Sequence, residues 1–101
     1  MATYLVERNL PGLTNKHLIA LQHALTEASR RLSASGSPVR YRGSTFLPAR
    51  SRCFCIFEAS GIALVKAVNE TAQVPFVAID EAIELAGYDA DSKSKTLRRT
   101  K

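Results

Sequence analysis

The sequence predicts an α+β domain in which two helices cover one face of a four-stranded antiparallel sheet. Three observations predict it. Four short runs rich in β-branched, aromatic and aliphatic residues are separated by turn chemistry; two of the gaps carry apolar residues at helical spacing; and the order of the segments is β-α-β-β-α-β.

Residues Thr3 to Arg8 form the first run, which ends at the breaker Asn9-Leu10-Pro11-Gly12. Thr14 or Asn15 then supplies a helix cap, because a short side-chain oxygen there accepts unpaired backbone N–H groups of the first turn. Thr14, Leu18, Leu21, Leu25, Ala28 and Leu32 recur at steps of three and four, so they share one helix face that should end near Ser33 to Gly36. Val39 to Leu47 reads as a second strand, Pro48 to Ser51 as a reversing turn, and Arg52 to Glu58 as a third strand. Ser60 is positioned to cap a shorter helix bearing Leu64, Val65, Val68 and Ala72 on one side, stopped before Val74-Pro75 because a residue preceding proline disfavours helix. Phe76 to Leu85 is the fourth strand, although Asp80 to Leu85 also fits a helical pattern.

Right-handed crossovers place both helices on the same side of this sheet, which is the ferredoxin-like arrangement. The third strand is apolar on both faces: Cys53, Cys55 and Phe57 point one way, Phe54 and Ile56 the other. Two helices shield one face alone. The other is expected to find its cover in a second copy of the chain, a ligand or stacked bases, and a homodimer of the α/β-barrel type is the leading expectation.

The chain has 101 residues and 46% hydrophobic composition, enough for one core, and the expected domain spans residues 1–87. Residues 88–101 form the expected basic C-terminal tail, with five cations and no acid from Lys93 to Lys101. It accounts for much of the net charge of +5, which serves solubility and gives only non-specific attraction to anionic surfaces. Cys53 and Cys55 lie one residue apart and do not form a secreted disulfide framework; no signal-peptide pattern or membrane-length apolar run occurs, so a cytoplasmic chain with no membrane partner is expected.

Few residues carry recognisable chemistry. His17 and His23 are six apart, about 240° around a helix, and cannot grip one metal together. His17 flanks the apolar stripe and remains open to a ligand. Cys53-Phe54-Cys55 places two thiols on one strand face, a pattern that fits buried core residues or two soft ligands for a divalent ion. Glu7, Arg8 and Glu58 lie at strand ends beside the apolar patch, where a central strand pair would bring the carboxylates together. The run Arg50 to Phe57 partly matches an RNA-recognition strand through Phe54 and Phe57, but Arg52 replaces the first stacking aromatic, so nucleic acid ranks low among partners. P-loop, nucleophile-elbow, dinucleotide and H-E-x-x-H signatures are absent.

Tyr4-Leu5-Val6-Glu7-Arg8 with Pro11-Gly12, then Phe54-Cys55-Ile56-Phe57-Glu58-Ala59, then Val74-Pro75, resemble a family of small bacterial nickel-responsive or nickel-binding proteins over residues 3–84. The resemblance implies a ferredoxin-like dimer, with Glu7, Arg8, Ser44 and Cys55 at matched positions. It makes nickel or another divalent metal the candidate cofactor but assigns no role to those positions; joined with the reading of the residues above, the candidate metal ligands are Cys55 and His17, and the candidate ligand-binding residues are Glu7, Arg8, Ser44 and Glu58. The chain departs from the family in Tyr41, where a tryptophan is expected, in its long first helix, in the basic tail and in having two histidines. The implied function is a dimeric binding protein with a metal ion or small ligand near the subunit interface. An enzyme alternative, a dimeric α/β-barrel monooxygenase or isomerase, would use the open sheet face as a pocket.

Overall fold

The structure is a computed structural model and describes residues 1–87. Its elements follow the predicted order: β1 (Ala2–Asn9), α1 (Asn15–Ala34), β2 (Val39–Leu47), a 3-10 turn (Pro48–Arg50), β3 (Arg52–Ala59), α2 (Ile62–Ala72) and β4 (Ala78–Ala82). The strands are antiparallel in the order β2-β3-β1-β4. This is the ferredoxin-like α+β fold. The expected basic tail, residues 88–101, lies outside the described residues.

Local chemistry explains most boundaries. Thr14 caps α1: its hydroxyl accepts the His17 N–H at 3.3 Å, and His17 Nδ1 accepts the Thr14 N–H at 3.4 Å. Histidine thus takes the reciprocal role that glutamate plays in the usual capping box. The β2–β3 hairpin reverses through the 3-10 turn and closes on Ser51 in the left-handed region, at φ +54°. α2 starts one residue later than expected, with Gly61 as an N-cap that offers no side-chain bond.

β4 is half the expected length, five residues instead of ten. Its pairing with β1 runs from Glu7↔Ala78 to Thr3↔Ala82, stopping one residue short of the start of β1 at Ala2. Ile83 to Gly87 have neither strand nor helix, which removes the helical alternative for Asp80 to Leu85.

The core lies between the sheet and the helices. Val6, Leu25, Phe57, Val65, Val68, Cys53 and Cys55 are fully enclosed there. Leu21 and Ala28 of the α1 stripe are buried with Leu25, whereas Thr14, the cap, is exposed. The open face carries Leu5 opposite Ile56, with Phe54 diagonal to them, and all three are half-buried. Ion pairs flank this short apolar row: Arg52 with Glu7, Arg40 and Arg42 with Glu58, and Arg42 with Glu84.

A bulge in β2 shapes the site. Tyr41 pairs with Phe57 and Gly43 with Ile56, leaving Arg42 as the extra residue. Tyr41 and Ser44, three apart, would face opposite ways in a regular strand. The extra residue restores them to one face, above Phe57 and Cys55 respectively. Gly43 adopts φ +148°, a conformation side chains rarely tolerate, while a Cβ there would meet nothing within 4 Å. Gly43→Ala should therefore cost stability through backbone strain alone, about 1 kcal/mol or more, measured as a lower chemical-denaturation midpoint.

Candidate functional site

Alternation along β1 sends Tyr4, Val6 and Arg8 toward the helices. Arg8 is the exception among them. It is the largest fully buried side chain and sits opposite Cys53 on β3. Its guanidinium donates through Nε to Cys55 Sγ at 3.4 Å and through Nη1 to the Pro75 carbonyl at 3.3 Å. None of the ion pairs among the described residues involves Arg8.

A guanidinium stays protonated in proteins, and a buried unpaired charge costs several kcal/mol. Cys55 is the one acidic group in hydrogen-bond contact with Arg8 among the described residues, so the pair is satisfied only when Cys55 is a thiolate. The surroundings favour that state. The Cys53 thiol lies 3.9 Å from Cys55 Sγ and Ser44 Oγ lies 2.9 Å from it, and Ser44 is in turn bonded to the Tyr41 hydroxyl. The Cys53 hydrogen bond, the Arg8 charge and the Ser44 hydroxyl together outweigh burial and lower Cys55 to about 6. The same hydrogen bond and burial push Cys53 strongly upward, so Cys53 remains the protonated donor of the pair.

Ser44 connects this cluster to the surface. It lines a cleft of about 370 Å³ between α1 and β2, whose walls include Leu18, Ile19, Leu21, Gln22 and Phe46. The cleft lies on the helix side, so the pocket expected on the open sheet face is not where this cavity forms.

The predicted site residues therefore divide into three groups. Arg8, Ser44 and Cys55 meet in the buried cluster. Glu7 and Glu58 stand on the open face, but the register places Glu7 opposite Phe54 and Glu58 opposite Thr3, four residues or about 13 Å apart along β1. Each binds arginine instead, which corrects the expectation that they approach one another. His17 is exposed and its ring nitrogen serves the α1 cap. Phe57 lies in the core while Phe54 lies on the open face, so the two cannot form a common base-stacking surface.

Two participants were not anticipated from sequence. Spacing shows Cys53 as a thiol but not as the donor to Cys55, and Tyr41 reaches the cluster only because of the bulge. The glycine within β2 was the available signal, since glycine inside a strand often marks a bulge.

The SCO4226-like model, described as nickel responsive protein SCO4226-like, matches residues 4–82. The chain belongs to this family. The crystal structure of SCO4226 from Streptomyces coelicolor A3(2) is similar in fold, with a TM-score of 0.73 and 20% sequence identity over 84% of this chain and 100% of that one. No curated protein matches. Among the described residues no group of three or more His, Cys, Asp or Glu side chains could hold a metal ion. The buried cluster offers two sulfurs, one of them protonated, beside a fixed positive charge, and this donor set does not fit a divalent cation.

A lowered thiol binds protons less readily in the folded than in the unfolded state. Its contribution to stability is complete above the ordinary thiol range, near 9, and disappears as pH falls through about 6. The stability difference between wild type and Cys55→Ser should accordingly narrow from pH 9 to pH 6, read from denaturation midpoints. A difference that is flat with pH would remove the thiolate.

Proposed function

We propose that this member of the nickel-responsive family is a small binding protein that works as a homodimer, with the open sheet faces meeting and nickel held by carboxylates gathered at that junction. The observation that carries the reading is the row Leu5, Ile56 and Phe54 on the sheet face that neither helix covers, bordered by Glu7, Glu58 and exposed Asp80. An apolar row rimmed by charged side chains is the usual anatomy of a protein interface. One chain brings no more than scattered carboxylates, whereas two facing sheets double the oxygen donors in one place. The misfit of the buried thiols with a cation supports placing the metal there and not at Cys55.

Light scattering on the full chain should give the mass of a dimer. Ile56→Asp, which sets a charge in the centre of the row, should shift it to monomer and lower nickel uptake at least about tenfold. Cys55→Ser should leave both unchanged. Nickel uptake by monomeric Ile56→Asp, or its loss in dimeric Cys55→Ser, would contradict the reading.

A further inference from the structure

The buried cluster has a chemistry that the nickel reading does not use. A guanidinium is planar, with Nε–H and Nη2–H directed side by side as a fork. In Arg8 one tine, Nε, is on Cys55 Sγ at 3.4 Å, while the other, Nη2, is buried with no partner. An unmet buried donor is costly, and this one is held next to a sulfur by the rigidity of its own group. It calls for an acceptor placed beside Cys55. Ser44 stands between the two: its hydroxyl contacts the sulfur at 2.9 Å, and the residue is among those lining the α1–β2 cleft, whereas Cys55 itself is fully enclosed. A small molecule in that cleft reaches Sγ only by displacing the Ser44 hydroxyl.

We propose that Cys55 is a hydroperoxide-reactive thiolate, and that Arg8 Nη2 is the donor that receives the oxygen delivered to its sulfur. The sulfur lone pair attacks one peroxide oxygen; the S–O bond forms as the O–O bond breaks. Sulfur loses two electrons, the peroxide gains them, and hydrogen peroxide leaves hydroxide behind, so thiolate and peroxide become sulfenic acid and hydroxide. The new oxygen fills the empty tine while Nε stays on sulfur. Arg8 is thus a positioning residue for the oxygen as well as the counter-ion of the thiolate.

Cys53 is 3.9 Å away but two residues along the same strand, where Cα atoms stand about 6.6 Å apart, near the upper limit for a disulfide. A separation near that limit favours the sulfenic acid over a Cys53–Cys55 bridge as the product. This inference is independent of the nickel site, because it involves the opposite face of the sheet.

The full reduced chain, treated with hydrogen peroxide at pH 7, should gain the mass of one oxygen, and a sulfenic-acid-specific probe should map it to Cys55. Ionisation by itself provides only about a two- to threefold rate advantage over free cysteine, since nucleophilicity falls as the pKa falls. A preorganised fork should raise the advantage to about tenfold or more. Arg8→Lys retains the charge without the second tine and should return the rate to the ionisation-only level. A wild-type advantage below about tenfold, labelling of Cys53 as fast as Cys55, or a folded Arg8→Lys variant with an unchanged rate would each overturn the proposal. Should Arg8→Lys not fold, the wild-type rate and the position of the label decide it.

Discussion

The structure depends on a buried positive charge that must be answered from within. Arg8 lies fully enclosed on the helix side of the central strand, and no carboxylate reaches it among the described residues. A neutral side chain of similar size would pack there at lower electrostatic cost. The guanidinium is tolerated because Cys55 meets Nε, Pro75 meets Nη1, and the neighbouring thiol and hydroxyl stabilise the charge that Cys55 bears. The thiolate thus follows from the Cys53 hydrogen bond and the arginine together, and the chemistry of the site follows from the thiolate.

The fold supplies each partner by a separate device. Strand alternation places Arg8 and the two cysteines on one face; the β1–β3 register sets Arg8 opposite Cys53, within reach of Cys55; and the β2 bulge turns Ser44 and Tyr41 inward together. The segment after α2 contributes Pro75, and the Val77 N–H donates to the Glu7 carbonyl at 2.7 Å, tying that segment to the end of β1. Parts of β1, β2, β3 and the segment after α2 converge on the Arg8–Cys55 pair. The opposite sheet face is organised differently, with arginines and carboxylates bordering a short apolar row, so the two faces support separate kinds of interaction.

Period and punctuation made most of the architecture legible. The α1 stripe, the Pro48 turn and the two-faced apolar pattern of β3 lead directly to the sheet and its helices, because burial in each depends on local spacing. The site was only partly legible. The family resemblance marks Arg8, Ser44 and Cys55 as matched positions, yet their convergence depends on cross-strand register and on a one-residue bulge, neither of which spacing along one strand reveals. A charged residue at a strand end reads as solvated edge; Arg8 is core because alternation overrides its polarity. Glu7, one residue away, follows the same alternation to the open face and its Arg52 partner. The short β4 is illegible for a similar reason, since its extent depends on its pairing with β1 and not on its own spacing.

The most direct test of the central pair is the titration of Cys55 itself, followed by the β-carbon chemical shift in cysteine-labelled protein. A thiolate held by Arg8 titrates near 6. A midpoint at the ordinary thiol value of about 8.5 or above would show that Cys55 does not answer the buried guanidinium, and the account would fail at its base.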